Sequence, residues 1–435
     1  GIDKKAVKAG INYYEFRFRE ADFSSYPKGL MYGLDILSSW LYDDEKPFCE
    51  VQLLEGFEFL KKAAEEGYFE ELIRKYLLDN AHGSILSLVP ERGLAAKRDQ
   101  ELEKRLENYR SSLSDEELIR MVERTKALEA YQESEENPEA LTCIPMLSRE
   151  DIKKEITGFT NEEHFVDDSL FLYHDVCTNG IGYADLLFEI HNFDTDTVHY
   201  LGLLKSVLGA VDTENYSYGE LFNEVNARTG GIAYGIEVYD SATDTDAFRA
   251  MFAVRGKALY PEMDFMFSMI REVLTTSRLD DTKRLYEIIA RVKSRAQANL
   301  VSAGHSTAVL RGASYASPMA AFQDEMAGIG YYQFIEKLEK NFDSCKEEIV
   351  KNLRKVMEEV LRPENFSVSY TGERESLDAV KVQAGEIKKV LFNGQKPETS
   401  SQPSCIKKNE AFKTSGQVQY VAQSGNFRKK GLEYT

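Results

Sequence analysis

Apolar residues recur with helical spacing through the first part of the chain: Val7, Ile11, Tyr14 and Phe18, then Leu30, Leu34, Leu37 and Leu41. Two more amphipathic stretches cover Leu53 to Ala64 and Phe69 to Leu78. Gly83 interrupts the pattern, and Ile85 to Val89 reads as a strand closed by Pro90. Helices feeding one terminal strand make only the back half of an α+β domain, so its other strands are expected upstream.

Residues 92–137 change character. Thin seams, Leu102, Leu106, Tyr109 and Leu113, then Leu118, Met121, Val122 and Leu128, run through dense Lys, Arg, Asp and Glu. Ser114 to Glu117 forms a capping box between the seams, and Asn137-Pro138 ends the second. The pattern predicts a long antiparallel helical hairpin serving as a linker.

From about Asp151 to Glu386 the pattern predicts a complete domain. Leu170 to Val176 and Tyr183 to Phe193 read as strands flanking Thr178-Asn-Gly180, the strongest short hairpin signal. A helix follows at His199 and another across Tyr218 to Arg228. Gly230-Gly231 leads into strands at Ile232 to Tyr239 and Ala247 to Gly256. Leu285, Ile288, Ile289, Val292, Ala296 and Leu300 form a helical stripe, and Phe334 to Val360 supplies further helix. Phe366 to Tyr370 reads as a strand and Leu377 to Val390 as a helix. The fold class is therefore α+β, a mixed or antiparallel sheet covered by helices on one face. A polar loop from Phe392 to Asn409 precedes short strands at Ala411 to Phe412 and Gly416 to Ala422.

The chain has 435 residues, 43% hydrophobic and 29% charged, with a net charge of −19. That balance argues against a nucleic-acid partner, which needs a basic face. No apolar run approaches the roughly 18 residues of a membrane span, and no apolar signal core follows Gly1. Cys49, Cys143, Cys177, Cys345 and Cys405 are scattered, odd in number and without a CxxC pair, which fits a reducing compartment: cytoplasm, or an organelle matrix if eukaryotic. The start inside helical sequence leads us to expect a piece of something longer.

Candidate chemistry centres on Asp194-Thr-Asp-Thr-Val-His199-Tyr-Leu-Gly-Leu203, directly after the strand-like run at Tyr183. A His-x-x-Glu-His helix sets two imidazoles and a carboxylate base on one face to bind zinc and activate water. Here only His199 is present, with Gly202 at the Glu position and Leu203 at the second His. A rival metal cluster is His191, Asp194, Asp196 and His199, although both aspartates are better explained as helix N-terminal caps. His174 and His305 stand apart from other ligands, and Ser306 beside His305 diverges from it on a helix. Gly230-Gly231 matches no phosphate loop and reads as a tight turn.

The run from Ala127 to Ile152 resembles the junction after the helical hairpin in presequence proteases, a subfamily of the pitrilysin/insulinase zinc metallopeptidases. His174 with Thr178-Asn-Gly-Ile181, Gly304-His-Ser with Arg311-Gly-Ala-Ser314, and Gly328-Ile-Gly-Tyr-Tyr332 agree with it. Val418-Gln-Tyr-Val421 is similar to the first strand of the family's fourth domain.

The resemblance covers essentially the whole chain and implies four related domains closing around a peptide chamber. It implies that residues 1–91 end domain two, 92–150 form the hairpin, 151–391 are domain three, 392–408 a linker and 409–435 the start of domain four. The family's zinc site, an inverted His-x-x-Glu-His helix plus a distant Glu, belongs to domain one, outside this chain. Because the domains are repeats, His199 to Leu203 is a degenerate copy of the zinc helix. Glu287 stands on a later helix, where a third ligand would be sought, and reads as an ordinary exposed residue. No catalytic or metal residue is expected here. The implied function is the non-catalytic centre of a zinc endopeptidase for short unstructured peptides, with peptide substrates and the remaining domains of the same polypeptide as partners. Two alternatives stay open: a stand-alone peptide-binding scaffold, and an independent metalloenzyme built on His191 and His199.

Overall fold

The computed structural model describes residues 2–134, 137–152, 154–155, 158–241, 243–395, 403, 405–414 and 418–432. They fall into two compact units, Gly1–Leu72 with Phe159–Thr435, and Ile73–Gly158.

The chain opens with helices α1 (Lys4–Glu20), α2 (Lys28–Trp40), α3 (Leu54–Glu65) and α4 (Tyr68–Ile73). The smaller unit holds α5 (Leu94–Ser112), α6 (Asp115–Glu133) and the single turn α7 (Pro138–Leu141). The Ser114 hydroxyl accepts from the Glu117 amide while the Glu117 carboxylate accepts from the Ser114 amide, so the capping box forms as read. Leu102, Leu106 and Tyr109 on α5, and Met121, Val122 and Leu128 on α6, remain exposed. Ile85 to Val89 is extended but forms no ladder, and Ile85, Leu86, Leu88 and Val89 are all exposed. A strand needs a partner, and none of the described residues supplies one there.

The larger unit is built on one six-stranded sheet. Its strands are β1 (Glu162–Val166), β2 (Ser169–Asp175), β3 (Ile181–Glu189), β4 (Ile232–Asp240), β5 (Phe248–Leu259) and β6 (Phe366–Gly372). The spatial order is β1-β2-β6-β3-β5-β4, with β2 parallel to β6 and all other pairs antiparallel. The helices are α8 (Thr195–Val207), α9 (Tyr218–Arg228), α10 (Met263–Thr276), α11 (Thr282–Ser302), α12 (Gly304–Ser314), α13 (Pro318–Ala327), α14 (Ile329–Lys340), α15 (Phe342–Val360) and α16 (Leu377–Lys389). This is the mixed α+β architecture read from the sequence.

Alternation along the strands sets the core. Phe171, Tyr173, Ala184, Leu186, Phe188, Phe252, Val254, Val368 and Tyr370 point to one face and are essentially inaccessible to solvent. Helices α8, α10 and α15 close over them through Leu201, Leu204, Met266, Ile270, Ile349 and Leu353. The opposite face carries Asp185, Glu189, Arg249, Arg255, Ser369 and His174, a polar surface typical of a one-sided sheet.

Two strand readings change. Asn179 and Gly180 take the positive φ of a tight turn, 55° and 79°, yet β2 and β3 do not pair. Strand β6 inserts between them, so the turn spans two strand spacings, about 10 Å, rather than one. Ala411, Phe412 and Val418 to Ala422 form no strand, because this tail is held by side chains against α12 instead of by a backbone ladder; Gly416 and Gln417 lie outside the described residues. Strand β1 escaped the sequence reading because its Glu-Glu-His start masks a short alternation.

Candidate functional site

Helix α8 leaves the C-terminal end of β3 and starts at Asp194, whose carboxylate accepts from the Asp196 and Thr197 amides and the Thr197 hydroxyl. Burial works to raise the Asp194 carboxyl, but these hydrogen bonds outweigh it and hold the group below the usual range. Asp194 is thus committed to capping, as its position suggested. His191 and Asp196 are exposed, one before the helix and one in its first turn.

One turn on, His199 is buried. Its Nε2 lies 2.7 Å from Glu325 Oε2 on α13, and its ring stacks on Phe334 of α14 with centroids 4.4 Å apart and planes 16° off parallel. The His199 hydrogen bond holds the Glu325 carboxyl low against the opposing effect of burial, and the charges of Arg311 and Lys408 act in the same direction. At Gly202 a Cβ would lie 2.7 Å from Tyr331 Cε2 and 2.8 Å from the Met326 carbonyl oxygen. Leu203 is fully buried in the core. Each position a zinc helix would use is therefore filled: a carboxylate holds the imidazole nitrogen, a tyrosine ring takes the space of the base, and a leucine packs where the second ligand would stand. These residues do not fit a zinc ion. Among the described residues no group of three His, Cys, Asp or Glu side chains converges to hold a metal.

The partners come from the stretches carrying the family resemblance. Asp324, 1% exposed, pairs with Arg311 of α12 and accepts from the Ile329 and Gly330 amides, so it also caps α14. Gly328 and Gly330 leave room for the two neighbouring carboxylates: a Cβ would fall 2.4 Å from Asp324 Oδ1 in one case and 2.4 Å from Glu325 Oε2 in the other. Arg311 Nε donates to Glu410 Oε1 at 2.6 Å, and the Tyr315 hydroxyl donates to the same oxygen at 2.5 Å. Burial alone would lower the Arg311 pKa, but Glu410 and Asp324 raise it above the ordinary value. The tail continues along α12, with Tyr420 against Gly304 and Ser424 against Gly312, where a Cβ would meet them at 2.5 and 3.0 Å. Beside this network a cleft of about 520 Å³ opens between Asp194, Val198, Arg311, Glu325, Ile406 and Lys408.

The remaining candidates are structural. Both His174 ring nitrogens are engaged, by the Thr160 carbonyl at 2.9 Å and the Ser369 hydroxyl at 3.3 Å. His305 and Ser306 are both exposed, and the His305 ring lies 6.1 Å from that of Tyr420. Glu287 pairs with Arg284 one turn before it at 2.9 Å. Gly230 and Gly231 together face Lys257, forming the turn into β4; Gly231 has φ 114°, and a Cβ on Gly230 would strike Phe16 at 2.3 Å. What the sequence reading missed is the set around His199: Glu325, Phe334, Tyr331, Asp324 and Glu410. No local spacing signals them, because each reaches α8 or α12 from a distant element.

Residues 88–338 match the family described as peptidase M16 (subfamily C) associated. Protein HypA of Clostridium perfringens is 34% identical over the whole chain, which covers 44% of that protein. Presequence protease 1, chloroplastic/mitochondrial, of Arabidopsis thaliana is 28% identical, again over the whole chain and over 40% of that protein. A crystal structure of a peptidase M16 inactive domain from Pseudomonas fluorescens overlaps 57% of this chain and 54% of its own, with a TM-score of 0.38 and 12% identity. The chain thus spans about two-fifths of the length of the curated relatives it matches.

Proposed function

Because the chain belongs to the family associated with subfamily C of the M16 peptidases, we propose that it is the non-catalytic central portion of a zinc metalloendopeptidase that degrades short unstructured peptides. In this reading residues 151–391 form a peptidase-like domain that walls the peptide chamber, and residues 92–150 form the hinge-like connection between the two halves. Residues 1–91 and 409–435 belong to the flanking repeats. The zinc, its ligands and the general base reside in another part of the polypeptide. Peptides and the remaining domains are the partners, and the compartment is cytoplasm or organelle matrix. No helix among the described residues is long and apolar enough to cross a membrane.

The observation that carries this reading is the replacement of each functional position on α8: His199 tied to Glu325, Gly202 covered by Tyr331, and Leu203 buried. A catalytic zinc needs three protein ligands and an open position for water. The polar sheet face supports the wall role, since Arg249 grips Glu189 through two 2.9 Å hydrogen bonds and Arg255 bridges Asp185 and Glu237. The test is direct: the purified chain, given an unstructured peptide and zinc, is expected to leave the peptide intact and to hold no stoichiometric metal. Turnover or bound zinc that disappears in His199→Ala would overturn the reading.

A further inference from the structure

The two edges of the sheet are built differently. Strand β1 is five residues long, opens with Glu162 and Glu163, and has Gly385 of α16 packed against its last residue, Val166. Short length, charge and a covering helix are the usual protections of an edge. Strand β4 has none of them. It runs for nine residues in unbroken register with β5, from Ile232 opposite Gly256 to Asp240 opposite Phe248, and contains no Lys, Arg or Pro. Among the described residues no element lies along its outer side.

The backbone direction follows from the bonds at both ends of the pair. The Lys257 amide donates to the Gly231 carbonyl, and the Ser241 amide donates to the Ala247 carbonyl. Odd-numbered β4 residues therefore turn their amides and carbonyls toward β5, and Tyr234, Ile236, Val238 and Asp240 turn theirs outward. The side chains of Tyr234, Ile236 and Val238 pack against the core, so the strand is anchored while its outer hydrogen-bonding row stays open.

We propose that the outer edge of β4 docks an extended peptide carrying Lys or Arg, which joins the sheet as an added strand. This deepens the reading that the chain presents a peptide-facing surface, and rests on it. Charge selects the occupant. Glu237, Asp240 and Asp244 lie on or just beyond β4, and the guanidinium of Arg255 is already shared by Glu237 and Asp185. A cationic strand is attracted to such an edge, whereas a second copy brings the same acidic edge and its own net charge of −19. Backbone pairing supplies affinity with little demand on sequence, which suits an unstructured peptide.

The experiment uses the whole chain and a fluorescein-labelled peptide of alternating Lys and Thr, about ten residues long to match a strand of ordinary length. Hydrogen exchange of the Tyr234, Ile236 and Val238 amides is expected to slow when the peptide is added. A peptide of the same sequence, N-methylated at alternate residues on its pairing edge, should bind roughly tenfold or more weakly, since each backbone bond lost is worth about 1 kcal/mol. Val238→Pro removes one outward donor without touching the bonds to β5, and should weaken the unmodified peptide while leaving the methylated one unchanged. Should that variant fail to fold, the methylated peptide on the native chain still decides.

Equal binding of the two peptides, protection confined to other strands, or no binding overturns the proposal. Protection that grows with protein concentration in the absence of peptide assigns the edge to a second copy and overturns it too. Failure here leaves the zinc and turnover assays untouched, and peptide turnover by this chain would sink the parent reading without altering the exchange at β4.

Discussion

Replacing Gly202 by Ala tests whether the position of the catalytic base has been refilled or merely emptied. The new Cβ would lie 2.7 Å from Tyr331 Cε2 and 2.8 Å from the Met326 carbonyl oxygen. Ordinary contact begins near 3.5 Å, so both neighbours would have to retreat by about 0.7 Å. Neither moves freely, because Tyr331 is 5% exposed and the Met326 oxygen belongs to the backbone of α13. Overpacking of this kind costs about 1–3 kcal/mol. Helix propensity acts in the opposite sense and favours Ala over Gly by about 1 kcal/mol. The expected net effect is a loss of about 1–2 kcal/mol.

Gly10 supplies the internal control. It sits mid-helix in α1 of the same unit, and a Cβ there meets nothing within 4 Å. Gly10→Ala should therefore stabilise by up to about 1 kcal/mol, and denaturant unfolding of the two variants should differ by about 2 kcal/mol. Adding Tyr331→Ala to Gly202→Ala should relieve the ring contact but not the carbonyl contact, and so recover part of the loss. If Gly202→Ala stabilises as much as Gly10→Ala, the space beside His199 is open and the refilling argument fails. The same logic applies to Gly202→Glu with Leu203→His, which rewrites the zinc motif. That variant is expected to unfold more easily and to gain no zinc, measured by metal analysis of the purified protein.

Removing Arg311 strands Asp324 and frees Glu410, so Arg311→Ala should destabilise by about 3–5 kcal/mol, and trypsin should cut faster at Lys407 and Lys408. The Glu325 carboxyl is lowered on folding, so the stability it contributes is present above its ordinary value of 4.5 and is lost as pH falls through the lower folded value. Thermal unfolding across the acid range should accordingly show a shallower loss for Glu325→Gln than for the parent chain. Asp194→Ala removes the α8 cap and should cost about 1 kcal/mol, whereas His191→Ala, at an exposed position, should leave stability unchanged in the same denaturant assay.

Most elements of the larger unit were legible because their signals are local. Helix α9 begins with the Ser217 and Glu220 capping box and spans the residues the pattern marked, and β4, β5 and β6 lie within a few residues of their readings. Pairing was not legible. Asn179 and Gly180 carry the turn chemistry of a hairpin, but whether β3 or β6 lies beside β2 depends on a strand almost 200 residues later. The isolated run at Ile85 to Val89 shows the same limit, since an apolar β-prone stretch is a strand only when another strand meets it.

The site was legible as a deficit and illegible as a construction. Gly202 and Leu203 announced that a base and a ligand were missing, but His199 finds its partner 126 residues away. The glycines explain why the resemblance carried more information than its residues first suggested. Gly328 and Gly330 admit the Asp324 and Glu325 carboxylates, Gly304 and Gly312 admit the tail at Tyr420 and Ser424, and Gly202 admits the Tyr331 ring. Stretches from three separate parts of the chain therefore describe one packed junction of α8, α12, α13, α14 and the tail. A helix that had only lost its ligands would need no such matching set of small residues around it. The coincidence of five close approaches at glycine argues that the remnant helix has become a structural anchor, tying the tail segment to the sheet through Arg311 and Asp324.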